Sequence, residues 1–172
     1  MNIPGGHTTE YPPEQVRPPY YGKYRGIVSK VDKDTGRIKA KVPAVLGEAV
    51  SGWCMPCVPY AGPKVGIVFL PEERSGVWIE FEGGDVSLPV WVGCYWRDNE
   101  VPPDAADHVK VIVTKAPHKL ILDDDKGSIT ITDPNGNTVT LDSSGITLSK
   151  GGQKVIISDS SVSVNDGALE VQ

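Results

Sequence analysis

Residues 118–172 read HKLILDDDKGSITITDPNGNTVTLDSSGITLSKGGQKVIISDSSVSVNDGALEVQ. One short unit repeats through this stretch, an apolar–x–apolar triplet followed by a polar turn. The apolar pairs are Leu120/Leu122, Ile129/Ile131, Val139/Leu141, Ile146/Leu148, Val155/Ile157, Val162/Val164 and Leu169/Val171. Between them lie Asp-, Asn-, Ser- and Gly-rich clusters such as Asp133-Pro134-Asn135-Gly136-Asn137 and Asp142-Ser143-Ser144-Gly145. Alternation with period two predicts strands, and the clusters predict turns. No aromatic residue follows Trp96.

Such a strand has no core of its own. Each of its two aliphatic side chains contributes about 1.5–3 kcal/mol when fully buried. Ordering the seven to ten residues of a unit costs about 1–2 kcal/mol per residue in backbone entropy. Something must therefore cover the apolar stripe along its whole length. A one-chain solenoid needs longer repeats. A hairpin stack, turning at Asn135-Gly136, is a second solution. Identical chains wound together, each supplying one wall of a narrow prism, are a third. Short units, small aliphatics and the lack of aromatics favour the third: an intertwined homotrimer with these fourteen side chains inside. A meander sheet is the alternative.

Upstream, residues 20–97 hold all four Trp and both Phe and are expected to form the globular domain. Residues 24–31 and 37–42 read as a hairpin closed by Asp32-Lys33-Asp34-Thr35-Gly36. Residues 54–60, 65–70, 77–81 and 89–96 read as further short strands. Five or six such strands without a convincing helix suggest a small OB-type barrel. Residues 98–117, with three Pro, read as a linker that contains a strand-like Val109-Lys110-Val111-Ile112-Val113. Residues 1–19, with five Pro, read as an extended arm that orders against a partner, or as a disordered tail. The expected organisation is thus arm 1–19, barrel 20–97, linker 98–117 and trimeric spike 118–172.

The totals agree with an all-β chain. Nineteen Gly and fifteen Pro in 172 residues disfavour long helices. A net charge of −5 argues against general nucleic-acid binding. The first residues have neither a basic n-region nor an apolar h-region, so no secretory signal is expected. With three Cys no disulfide framework is expected, and the chain reads as made in a reducing cytoplasm.

Barrel and repeat together resemble the central-spike family of contractile tails: phage baseplate assembly protein V and the valine-glycine repeat proteins of type VI secretion. The resemblance rests on Tyr24-Arg25-Gly26, on Gly62 and Gly66 within Tyr60-Ala61-Gly62-Pro63-Lys64-Val65-Gly66, and on Trp78 with Phe81-Glu82-Gly83-Gly84-Asp85. Pro89-Val90-Trp91 completes it. It spans roughly residues 20–172. It implies a homotrimer with an OB domain, followed by a triple-stranded β-helix. It implies a structural, membrane-puncturing role at the baseplate centre of a contractile phage tail or related particle. A separate hub would hold the trimer. No lysozyme domain lies between barrel and repeat. His7, His108 and His118 all lie far from the His-x-His apex position of some relatives, so a PAAR-type tip protein is expected to cap the end. No cofactor, metal or catalytic residue is expected, and the partners are the hub, the tip and the target cell envelope.

Other motifs weigh less. Trp53-Cys54-Met55-Pro56-Cys57 looks like a redox motif, but the Pro and Gly that follow leave no helix to activate a thiol. Small core residues are the better reading; zinc, with Cys94 as a third ligand, is a minor one. Asp123-Asp124-Asp125 lacks calcium-loop spacing and reads as a solvated turn. Glu72, Glu73, Glu80 and Glu82 read as polar strand positions rather than paired catalytic carboxylates. Lys23, Arg25, Lys30, Arg37, Lys39 and Lys41 give modest support to a rival reading of the barrel as a ligand or nucleic-acid module.

Overall fold

The computed structural model describes residues 19–172; the expected N-terminal arm lies, but for its last residue, outside the described residues. The chain divides between Arg97 and Asp98 into two units.

The first unit is a small barrel. Strands β1 (Tyr24–Asp32) and β2 (Arg37–Lys41) pair antiparallel. Their turn is tied by Asp32, whose carboxylate accepts from the Asp34 N–H at 3.0 Å and the Thr35 hydroxyl at 2.7 Å. A single helical turn α1 (Pro43–Leu46) follows, opened by Pro43, whose fixed φ suits a first helical position. Then come β3 (Met55–Pro56), β4 (Ala61–Gly62), β5 (Val65–Gly66), β6 (Gly76–Phe81) and β7 (Pro89–Tyr95). The main sheet runs β2-β1-β6-β7-β3, with β3 and β7 parallel and the other pairs antiparallel. A bridge between Ile38 and Cys54 joins its two ends. Five strands, one parallel pair and this closure are the OB arrangement.

Alternating inward residues fill the barrel. Val28, Ile38, Ala40, Val42, Cys54, Val77, Ile79, Phe81 and Trp91 form the buried core. The indole of Trp91 donates to the Gly36 carbonyl at 3.2 Å, so the turn and the core are coupled. Ser51 is buried and satisfied: its hydroxyl accepts from the Ala40 N–H at 2.9 Å and donates to the Gly52 carbonyl at 2.8 Å. Of the expected strand at residues 65–70, Val65–Gly66 alone is strand, hairpinned with Ala61–Gly62 around Pro63 and Lys64. Residues 67–70 follow without a strand partner.

The second unit is one antiparallel meander. Its strands are β8 (Val109–Val113), β9 (Lys119–Asp123), β10 (Ser128–Thr132), β11 (Thr138–Asp142), β12 (Gly145–Lys150), β13 (Gln153–Ile157), β14 (Val162–Val164) and β15 (Leu169–Val171). Each pairs with its neighbours in sequence, from β8 at one edge to β15 at the other. Val109–Val113, read above as part of the linker, is the first strand of this sheet, pairing with β9 from Val109–Asp123 to Val113–Lys119.

Candidate functional site

The turns of the second unit are built from short polar side chains that replace missing backbone partners. Asp133 accepts from the N–H groups of Asn135 at 2.9 Å and Asn137 at 2.8 Å, and from both Asn side-chain amides. That ring of donors, led by the Asn137 N–H, lowers its carboxyl to about 2. Asp142 accepts the N–H and the hydroxyl of Ser144, which lowers its carboxyl too. Asp123, buried, takes the Lys126 N–H at 3.0 Å and its ammonium at 2.8 Å. Asp124 pairs with Lys110 at 3.4 Å. Asp123 and Asp124 of the Asp123-Asp124-Asp125 run are therefore engaged in turn-making and ion pairs.

These turns hold the strands in one register, and register decides which side chains share a face. Leu122, Ile129, Leu141, Ile146, Ile157, Val162 and Val171 stand directly opposite one another across seven successive strands. Leu120, Ile131, Val139, Leu148, Val155, Val164 and Leu169 form a second row beside them. Ile112 of β8 extends the second row, while Lys110 ends the first. The other face carries Thr130, Thr140 and Thr147 in one row and Thr132, Thr138 and Ser149 in the next. Ten of the fourteen aliphatics are exposed in a single chain and none is buried, so one copy does not dry its own apolar face. A continuous apolar face of this kind marks an assembly surface.

In the barrel, the residues singled out by their resemblance have structural work. Tyr24 packs between Tyr20 and Phe81, with ring centroids 6.3 and 5.8 Å away. Arg25 lies over the rings of Trp78 and Tyr95 at 5.7 and 5.8 Å. Gly26 sits against Ile79, and Gly62 and Gly66 build the β4–β5 hairpin. Glu82–Gly84 is a tight 3₁₀ turn after β6, so Glu82 does not share a strand face with Glu80, which pairs with Lys23. Gly84 has φ +79°, and a Cβ there would come within 2.6 Å of the Pro19 Cβ. The Tyr20 N–H donates to its carbonyl at 2.9 Å, which fixes where the chain enters the barrel. Asp85 closes the turn by accepting from the Ser87 N–H and hydroxyl at 2.8 and 2.7 Å, and Pro89 then starts β7.

The cysteines are free. Cys54 is in the core, and burial pushes its thiol upward, opposite to what thiolate chemistry requires. Cys57 and Cys94 are exposed. Among the described residues no three His, Cys, Asp or Glu side chains come together as a metal site. No helix among them is long and apolar enough to cross a membrane. Sequence reasoning missed the exposed apolar segment around the β4–β5 hairpin: Val68 is 73% and Phe69 66% exposed. The available signal is the apolar run Ile67-Val68-Phe69-Leu70 after the Gly62-Pro63 turn, within a segment that reads only as a short strand.

The chain thus combines an OB-type barrel with a sheet that leaves an apolar face open. Residues 24–96 match the type VI secretion system/phage-baseplate injector OB domain, and residues 109–170 match the phage baseplate V C-terminal trimerisation domain. The chain belongs to the phage baseplate V family of spike proteins and carries that family's trimerisation domain. No curated protein matches it.

Proposed function

We propose that three copies bring their apolar faces together into a β-helical needle that punctures a cell envelope when a contractile tail fires. The observation that carries this reading is the pair of aliphatic rows, which run from β9 to β15 without a polar interruption. Each row places one aliphatic per strand, so a trimer stacks three side chains per row in every layer. The fourteen residues named above are the core of the needle. At the far end the open edge of strand β15 is a surface suited to a PAAR-type tip protein. The barrel docks on a separate hub. The role is mechanical and uses no catalytic group.

Native mass measurement tests it together with Leu141→Asp. The wild-type chain is expected as a trimer. The variant would bring three carboxylates into one dry layer and is expected to lose the trimer. A folded trimeric variant would sink the inward assignment.

A second reading, a binding role for the barrel, draws on the Lys39 ammonium 5.0 Å over the Trp53 ring. Salt-dependent oligonucleotide binding by the trimer would support it; its absence removes it.

A further inference from the structure

A meander turns alternately at its two margins, and in the second unit the margins differ in charge. One margin holds the β8–β9, β10–β11, β12–β13 and β14–β15 turns. With the strand residue on each side, these are residues 113–119, 132–138, 150–153 and 164–169, and they carry three Lys and two Asp. The other margin holds the β9–β10, β11–β12 and β13–β14 turns. Counted the same way, residues 123–128, 142–145 and 157–162 carry five Asp and one Lys. Several of these charges are neutralised within the chain: Lys119 by Asp104, Lys126 by Asp123, Asp124 by Lys110 and Asp166 by Lys154. Lys115 and Lys150 on the first margin, and Asp125, Asp142 and Asp159 on the second, are exposed and make no ion pair among the described residues. Lys150 continues the alternation of Ile146 and Leu148, so it borders the apolar face.

We infer that in the trimer the lysine margin of each sheet meshes with the aspartate margin of the next copy, with Lys150 seated between Asp142 and Asp159. The inference rests on the trimeric needle proposed above and says what joins its walls. A closed three-fold assembly is heterologous: each copy offers one margin and receives the other, and like margins never meet. Two margins of opposite charge meet that need, and a second copy is the partner whose charge complements both. The stagger fits as well. The turns of one margin are one strand, about 4.8 Å, out of step with those of the other, so each turn falls level with a gap. Lys150 closes the β12–β13 turn, midway between the β11–β12 turn with Asp142 and the β13–β14 turn with Asp159. Complementary charge at such a seam fixes orientation and register more than it adds affinity. The aspartates outnumber the lysines, so the copies still repel one another overall.

The test reverses the charges one at a time and then together in the full chain. Lys150→Glu and Asp159→Lys are each expected to lower the melting temperature of the trimer by roughly 5 °C. The double variant is expected to recover most of both losses. The five residues of β13 hold the two positions about 17 Å apart within one chain, so recovery has to come from a neighbouring copy. Losses that simply add in the double variant would overturn the mesh. A second readout places Lys150→Cys and Asp159→Cys together in a Cys57→Ser, Cys94→Ser background and treats the protein with a short bismaleimide. Covalent dimers and trimers are expected on a denaturing gel, and neither single Cys variant is expected to give them. Dimers from Lys150→Cys alone would mean that like margins meet, which overturns the inference. Native mass read on the same samples separates the two ideas. A trimer that does not cross-link removes the mesh and leaves the needle; a monomer removes both.

Discussion

Asp133 shows how one carboxylate sets a hairpin. It collects four donors from Asn135 and Asn137, and its carboxyl is held near 2 rather than 3.8. A depressed pKa means that the ionised form is favoured by folding. Its contribution is complete above about pH 4 and disappears as pH falls toward 2. Asp133→Asn is therefore expected to melt below the wild type at pH 7, with the gap shrinking between pH 4 and pH 2. Thermal melts across that range check it; a constant gap would contradict it. Cys54 makes a second case. It is fully buried and its thiol is raised by that burial. A thiol reagent is expected to modify Cys54 only after denaturation. Modification at the rate of a free thiol in the native protein would reopen the redox reading of Cys54 and Cys57.

At the scale of elements, the seven aliphatic pairs fall one to a strand on β9–β15, because alternation and turn chemistry are both local signals. The β1–β2 hairpin was legible for the same reason. What escaped was non-local. Val109–Val113 looked like linker because Pro102, Pro103 and Pro117 surround it, yet the β9 edge recruits it. Barrel closure through Ile38 and Cys54 has no signature in either segment alone. The Glu82 turn interrupts an alternation that ran on in the sequence, because Gly83 takes φ +58°. Gly145 supports a sharper prediction. Its φ is +129°, and a Cβ would lie 2.0 Å from the Ile157 carbonyl oxygen on the paired strand β13. Gly145→Ala is expected to cost roughly 2–4 kcal/mol. Denaturant midpoints would show it, and an unchanged midpoint would mean that β12 and β13 pair differently.

Across the whole molecule, charge is segregated. Residues 98–172 carry twelve acidic and six basic side chains, a net −6, whereas residues 1–97 are close to neutral at +1. Trimerisation therefore gathers a net charge of −18 over the three second units. Mutual repulsion of that kind is screened by salt. The melting temperature of the trimer is expected to rise by a few degrees between 20 and 500 mM NaCl. A fall would mean that attractive ion pairs, such as Lys119–Asp104 at 2.6 Å, outweigh the repulsion.

The nearest-neighbour order of β8 to β15 makes the length of this sheet a countable property. Every strand answers only to the one before and the one after, so a hairpin can be spliced out or duplicated without rewiring the rest. At about 4.8 Å per strand, each hairpin gained or lost changes the length by about 10 Å. Strands shrink from five or six residues to three at β14 and β15, so the last two rungs are also the narrowest. On the proposed puncturing role, duplicating one hairpin would deepen penetration by that same increment with the rest of the chain unchanged.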